Sequence, residues 1–370
     1  MLKRVVHLTS VHPRYDTRIY VKMCSSLADV GYSVYMVVAD GKGNELINDI
    51  SIIDVGLSQG GRLFRMTRTV TKVYEKAKEL DADLYHLHDP ELLPLALKLK
   101  KLGKVVVFDA HEDFPLQLLS KPYLNAFIAK VLSKIAALYE GYSCKRLDAI
   151  VTATPYIAKK FLEINKKSID INNYPVIGEF SEVKDWSEKQ DTVCYVGGIT
   201  KARGIHELVR SMEILTRDVT LTLAGRFQES ITERQVKSYQ GWKKVNALGW
   251  LDRDGINSVL LTSVAGLVTL HPTINYRDAL PVKMFEYMSA GIPIIASDII
   301  LWKQIIDTAD CGICVDPLNP ADIANAIDFL ISNPIEAQRM GKNGRNAVIR
   351  EYNWSVEEAK LIALYEGLLR

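Results

Sequence analysis

The sequence predicts an α/β fold of two Rossmann-like domains, each a parallel sheet wrapped by helices, facing each other across a cleft. Three observations carry that expectation. Short Val- and Ile-rich runs alternate with helical patterns from residue 5 to 173, as parallel β-α-β units require. The rhythm breaks over residues 174–190, where Pro175, Gly178 and a mixture of Glu, Lys, Asp and Ser show little periodicity. It restarts at residue 192 with a second set of similar units. A chain of 370 residues is long for one domain and comfortable for two.

In the first half, strands are expected at residues 5–9, 33–39, 50–55, 84–88, 105–110, 149–153 and 169–173. Helices are expected at 18–30, closed by Gly31, then at 63–80, 90–102, 125–147 and 155–164. Asp89-Pro90 reads as a cap followed by a first-turn proline. In the second half, strands are expected at 192–196, 220–224, 245–249, 266–270, 294–297 and 312–316. Helices are expected at 204–215, 254–261, 281–289, 320–332, 335–351 and 355–369. The domains are therefore read as 1–175, a linker at 176–190, and 191–354. The final helix, 355–370, is free to pack back on the first domain.

Composition narrows the function classes. A net charge of +2 argues against a nucleic-acid partner. The charge is unevenly split: residues 1–185 hold 26 Lys and Arg against 22 Asp and Glu, and the remainder holds 20 against 22. A mildly basic first half suits a membrane surface or a phosphate-bearing partner. No apolar run reaches the roughly 20 residues of a spanning helix, and Met1-Leu-Lys-Arg leads straight into a strand pattern, with no signal peptide expected. Five scattered cysteines, including Cys311-Gly-Ile-Cys314, read as buried thiols of a reducing compartment, so a cytoplasmic location is expected.

In open parallel sheets, ligands sit beyond the carboxyl ends of the strands. The richest such place is the stretch from Asp278 to Asp298. Pro281 suits a first helical position, and neither Ala279 nor Leu280 can cap, so the N–H groups of Val282 and Lys283 are left for an anion. Glu286 lies roughly 7–8 Å further along the axis. Two carboxylates with an anion hole between them suit a sugar joined to a nucleotide through a diphosphate. The same residues also suit an ordinary amphipathic helix with Glu286 solvated.

Upstream, Tyr195-Val-Gly197-Gly198-Ile-Thr-Lys201-Ala-Arg203-Gly204 forms a strand, a Gly-Gly turn and a helix start with two cations, a phosphate-binding pattern or an ordinary βα turn. Gly225-Arg226 and Trp250 close two further strands, where a ribose or a base could lie. In the first half, His111 closes the strand at 105–110. The nearby His86, His88, Glu112 and Asp113 raise a metal site as an option, but two histidines on an apolar strand are more often structural, and no metal is expected. The loop holding His12, Arg14, Asp16 and Arg18 follows the first strand and suits an acceptor sugar or its phosphate; a solvated loop with Asp16 as a cap is the alternative. The stretch 123–147 mixes Phe127, Ile128, Val131, Leu132, Ile135 and Leu138 with Lys121, Lys130, Lys134, Lys145 and Arg146. It reads either as a lipid-docking face or as a core helix with snorkelling lysines.

The G-G-x-x-x-x-R-G turn, the D-x7-E segment ending at Glu286, Met288-Ser-Ala-Gly-Ile-Pro-Ile-Ile-Ala-Ser297 and the late Tyr352-Asn-Trp354 together resemble the family 4 retaining glycosyltransferases of GT-B fold. The resemblance runs over most of the chain, is strongest over residues 192–317, and is nearest to members that build bacterial surface polysaccharides. It implies that Glu286 binds ribose hydroxyls and that Asp278 stands where the family has its first Glu, near the transferred sugar. It implies donor contacts from Gly197, Gly198, Lys201, Arg203, Gly225, Arg226, Trp250, Leu280, Val282 and Lys283, with His111 near the sugar. The family's Arg-x-x-x-x-Lys pair falls on Gly198 and Arg203, so the first cation is missing and Lys201 or Lys283 must compensate. Pro281 stands where the family usually has Gly.

The activity implied is metal-independent, retaining hexosyl or N-acetylhexosaminyl transfer to a growing, polyprenyl-linked glycan at the inner membrane face. No cofactor is implied; the nucleotide sugar is a substrate, with UDP-sugar favoured over GDP-sugar. Two other readings stand beside it: a nucleotide-sugar epimerase or hydrolase, and a non-catalytic nucleotide-sugar-binding subunit.

Overall fold

The computed structural model describes residues 2–57, 61, 64–119, 121, 124–180 and 186–370. The start of the helix expected at 63, the first residue of the stretch 123–147, and part of the expected linker (181–185) lie outside the described residues. The chain divides into two compact units, one of Met1–Asn173 with Val356–Arg370 and one of Tyr174–Ser355.

Unit 1 holds an eight-stranded sheet in the order β3-β4-β2-β1-β5-β6-β7-β8. Its strands are β1 (Arg4–Leu8), β2 (Ser33–Val38), β3 (Glu45–Ile47), β4 (Ile50–Asp54), β5 (Leu84–Leu87), β6 (Val105–Ala110), β7 (Ala149–Thr152) and β8 (Ser168–Asp170). Only β3 runs antiparallel among them. The sheet is buried on both faces, which is why its strands read as near-continuous apolar runs. Asp16 caps the helix that follows the first loop, accepting from Arg18 N and Ile19 N. That helix opens as a π-helix over Thr17–Cys24 before becoming α-helical over Ser25–Asp29. The last helix, Trp354–Leu368, carries its buried Tyr365 into unit 1, where the ring hydroxyl meets His86.

Unit 2 holds a six-stranded, all-parallel sheet in the order β11-β10-β9-β12-β13-β14. Its strands are β9 (Thr192–Val196), β10 (Thr220–Ala224), β11 (Val245–Gly249), β12 (Ala265–Val268), β13 (Ile294–Ser297) and β14 (Gly312–Val315). Alternate residues feed opposite faces. Val193 and Tyr195 join Leu208, Met212 and Ile327 on one side, and Cys194 and Val196 join Met284, Phe285 and Trp302 on the other. In both units the strand order reverses once, between β1 and β5 and between β9 and β12. The loops at these two switch points are where a doubly wound sheet presents ligands.

Among the described residues, three α-helices and one strand were not foreseen in the sequence reading: helices Phe114–Leu119, Ser230–Lys237 and Ile300–Ala309 and strand β3. Ile300–Ala309 has no capping side chain, and its Ile-Ile-Leu-Trp opening looks like a strand. Ser230–Lys237 buries only Thr232 and Val236, too little for an amphipathic signal. The helix expected from Pro281 begins at Val282, because Pro281 has an extended ψ of 119° and occupies the cap position. Asp89 is also corrected. Its side chain caps no helix and instead accepts from Thr9 Oγ1, Ser10 N and Ser10 Oγ, tying down the first loop.

Candidate functional site

The switch point of unit 2 is built on close backbone approach. Gly225 has φ +156°, and a Cβ there would stand 1.9 Å from the carbonyl oxygen of Gly197. Only glycine lets β10 run against the Gly197-Gly198 turn in this way. The turn is further held by Tyr195, whose hydroxyl donates to the Gly198 carbonyl at 2.9 Å, and by Arg203, whose Nη1 donates to the same carbonyl at 3.0 Å.

Lys283, in the first turn of helix Val282–Ser289, comes to the same place. Its Nζ lies 3.6 Å from the centre of the Tyr195 ring. The point where a Cβ of Gly197 would stand is 3.3 Å from Lys283 Nζ and 3.6 Å from Arg203 Nη1. The Lys283 amine and the Arg203 guanidinium therefore converge on the face of the turn that the glycine leaves open. The Lys283 side chain is partly exposed by area, but its nitrogen is shielded and has no hydrogen-bond partner. Burial, reinforced by the Arg203 charge, holds the amine well below the usual lysine range, with Glu286 pulling weakly the other way. Burial likewise pushes the Tyr195 phenol up to about 12. Among the described residues, no carboxylate forms an ion pair with Lys283 or Arg203. A guanidinium beside an unpartnered amine that can take up a proton suits an anion from outside.

Glu286 sits one helical turn after Val282 and is 8% exposed. The reading of a freely solvated Glu286 is overturned, because its Oε1 accepts from Arg253 Nη1 at 2.8 Å. Arg253 also binds Glu179 through its Nε at 2.6 Å, so it bridges two carboxylates. Sequence reasoning missed Arg253. It lies inside Asp252-Arg-Asp254, where Asp252 caps helix Arg253–Thr262 by accepting from Gly255 N. Asp278, Leu280 and Val282 are half-buried around the helix start. Trp250 is 64% exposed at the end of β11, with the Arg226 guanidinium 5.8 Å from its ring centre. Lys201 is exposed, and its backbone N–H is held by Glu229.

The switch point of unit 1 is a hydrogen-bonded polar cluster. Asp109, at the end of β6, is fully buried. Arg18 grips it with Nε and Nη2 at 2.9 and 2.8 Å, and His111 Nε2 and His88 Nδ1 approach Oδ2 at 2.9 and 3.2 Å. Burial alone would raise the carboxyl, but Arg18 and the two histidines hold it well below the usual carboxylate range. The His12 ring centre lies 4.8 Å from that of His111. Burial opposes its protonation, yet Asp16 and Asp89 raise it overall.

The arginines of the first loop face inward, which revises the acceptor expectation. Arg14 is 4% exposed, with Asp40, Glu45 and the Gly43 carbonyl taking its donors. Arg18 is also 4% exposed and completes its bonding on the Ile171 carbonyl. Of the four loop residues, His12 and Asp16 remain half-buried. Among the described residues, two sets of ligand-type atoms lie within 4.8 Å of one another: His7, His86 and His88, and His88, Asp109 and His111. Their rings already bond one another or Tyr365, so a metal ion would have to displace those bonds.

The expected alternative of a core helix at 125–147 is not what forms. Helix Ala126–Cys144 turns its apolar face outward, with Phe127 and Leu138 each 75% exposed and Ile135 57%. Among the described residues, no helix is long and apolar enough to cross a membrane.

Comparison with known proteins gives this geometry its context. The family described as Glycosyltransferase Family 4 matches residues 17–171, and Glycosyl transferases group 1 matches residues 176–347. The phosphatidyl-myo-inositol mannosyltransferase of Mycobacterium leprae is 24% identical over 298 residues, covering 77% of this chain and 74% of that protein. The sucrose-phosphate synthase of Thermosynechococcus elongatus superposes with a TM-score of 0.79 at 19% identity, over 99% of each chain. Anabaena HepE in complex with UDP-glucose superposes with a TM-score of 0.75 at 14% identity, over 98% of this chain and 99% of that one. With both halves matched and the fold shared along its length, the chain belongs to the family 4 glycosyltransferases of GT-B fold and is a glycosyltransferase.

Proposed function

We propose that this glycosyltransferase moves a hexosyl or N-acetylhexosaminyl group from a nucleotide diphosphate sugar to a hydroxyl of a lipid-linked glycan, with retention and without a metal ion. One observation carries the proposal: the Arg203 guanidinium and the Lys283 amine converge on the open Gly197 face with no carboxylate between them. A diphosphate supplies the missing anion, and the Arg203 guanidinium with the Lys283 amine, protonated on binding, offsets the charge that a divalent metal would otherwise neutralise. In this account Lys283 takes the part of the family cation absent at Gly198.

Glu286, oriented by Arg253, accepts ribose hydroxyls. Asp278 holds the transferred sugar, and Trp250 offers a face to the base. UDP is favoured over GDP, and the HepE complex with UDP-glucose supports that choice by likeness of fold. In the reaction the bond from the anomeric carbon to the diphosphate oxygen breaks, the acceptor oxygen bonds to that carbon on the same face, and the acceptor proton passes to the departing diphosphate.

The acceptor side belongs to unit 1, with His111 and His12 as hydrogen-bonding groups. The outward apolar face of Ala126–Cys144, with Lys130 and Lys134 on the same helix, suits the anionic inner face of a membrane, where a polyprenyl-linked glycan of surface polysaccharide synthesis would be met. The test is transfer from radiolabelled UDP-sugars to polyprenyl-linked glycans in a bacterial lipid extract, with EDTA, and the product anomer read by NMR. Transfer with retained configuration is expected. Inverted product, or transfer abolished by EDTA, would refute the mechanism.

A further inference from the structure

We infer that Asp109 is a positioning residue for His111: it receives the Nε2–H of that imidazole and leaves Nδ1 as the lone-pair atom offered to a substrate hydroxyl. The inference rests on the reading of His111 as a sugar-side group.

The argument is one of hydrogen-bond direction. An ionised carboxylate only accepts, and a neutral imidazole donates from one nitrogen and accepts at the other. Asp109 Oδ1 takes Arg18 Nη2 at 2.8 Å, and Oδ2 takes Arg18 Nε at 2.9 Å, His111 Nε2 at 2.9 Å and His88 Nδ1 at 3.2 Å. Both histidines must therefore donate to it. For His88 this leaves Nε2 as an acceptor, and His7 Nδ1 stands 2.9 Å away to donate. His7 Nε2 is then an acceptor, 3.4 Å from the Tyr365 hydroxyl, which also lies 2.8 Å from His86 Nδ1. Every direction along His111, Asp109, His88, His7 and Tyr365 agrees with the first.

The chain has one exposed end. His7, His86, His88, Asp109 and Tyr365 are all 0–2% exposed, whereas the His111 side chain keeps 21% of its surface. The network thus holds one tautomer of His111, its one imidazole that solvent or substrate can reach. With Nε2 bound inward, His111 offers Nδ1 to a hydroxyl proton rather than a second N–H to a hydroxyl lone pair. A fixed tautomer is what an orienting carboxylate contributes to an imidazole that handles protons.

The test is ring-nitrogen NMR on the full chain labelled with [15N]histidine, with His111 assigned by loss of its signals in His111→Gln. Where the ring is neutral, the wild type is expected to show His111 as the Nε2–H tautomer. An Nδ1–H tautomer would overturn the inference, whatever the activity. Asp109→Asn, whose amide can donate to Nε2, is expected to convert His111 to Nδ1–H. It should lower kcat about tenfold, the loss of one well-directed hydrogen bond to the reacting sugar, with the KM for donor moved less than about threefold. If Asp109→Asn does not fold, the wild-type spectrum still decides. If the variant folds, keeps Nε2–H and loses only stability, Asp109 is structural and the inference fails. An Nε2–H wild type with no sugar transfer to any acceptor would count against the proposed function while upholding the placement.

Discussion

Replacing Lys283 by methionine should make the free protein more stable and its nucleotide binding much weaker. The amine is shielded, has no hydrogen-bond partner, and is met only by the Tyr195 ring at 3.6 Å. A desolvated cation–π contact contributes about 2 kcal/mol, less than the several kcal/mol that burying an ion costs. Methionine keeps the length and removes the unsatisfied group, whose penalty is about 1–3 kcal/mol. At about 2–4 °C per kcal/mol, Tm should rise by roughly 2–12 °C. In the proposed complex the same amine meets the diphosphate. Losing one partner of a buried charge pair costs about 2–5 kcal/mol, so UDP should bind about 30- to 4,000-fold more weakly.

The assay is calorimetric titration of UDP into wild type and Lys283→Met, with thermal melts of both. Wild-type binding should also take up a proton, seen when heats are compared across buffers of different ionisation enthalpy. Burial keeps the free-state amine well below 10.5, and the diphosphate raises it again, so binding tightens as pH falls between the two values. The stability sign is consistent: the unfolded chain holds this proton up to about 10.4 while the fold releases it earlier. Lys283 therefore costs stability below that range and costs less as pH rises, a slope the variant lacks. Destabilisation with unchanged UDP affinity would refute the reasoning.

Three further outcomes follow from the geometry. Gly225→Ala should be destabilised by several kcal/mol and lose UDP binding, since its Cβ would lie 1.9 Å from the Gly197 carbonyl; a melt matching wild type would contradict the tight turn. Burial holds His7 and His88 well below 6.5 and His86 at about 4. The unfolded chain gains those protons first, so urea midpoints should fall as pH drops from about 6.5 toward 4, His12 opposing weakly; a flat profile would contradict neutral burial. Phe127→Ser/Leu138→Ser should lose sedimentation with phosphatidylglycerol vesicles while keeping wild-type UDP affinity; equal sedimentation would remove the docking role from helix Ala126–Cys144.

The sheet architecture was legible because doubly buried parallel strands write themselves as Val and Ile runs: β6, β9, β10, β11 and β13 match their expected bounds residue for residue. Helices without caps or strong apolar stripes, such as Ile300–Ala309 and Ser230–Lys237, were not. The cluster around Gly197 was legible in part, because glycines and basic residues at strand ends carry local meaning. Arg203 with Gly197 was foreseen; the Lys283–Tyr195 contact spans 88 positions and exists only through the β9–β12 neighbourhood. Arg253 was hidden by a capping Asp on one side and an acidic neighbour on the other. In unit 1, loop arginines looked like acceptor ligands because sequence cannot tell an exposed guanidinium from one buried against Asp40 or Asp109. Burial of a charge is a long-range fact, decided by which strand end lies opposite.

The most direct test of the donor site is thermal stabilisation of the full chain across a panel of UDP- and GDP-sugars, with and without EDTA, repeated on Glu286→Ala. Ligand that binds only the native state raises the midpoint once its concentration exceeds Kd. One UDP-sugar should raise it regardless of EDTA, and Glu286→Ala should abolish the rise. A wild type that no nucleotide sugar stabilises, or a Glu286→Ala variant stabilised as well as wild type, would contradict the donor site described at Gly197, Arg203, Lys283 and Glu286.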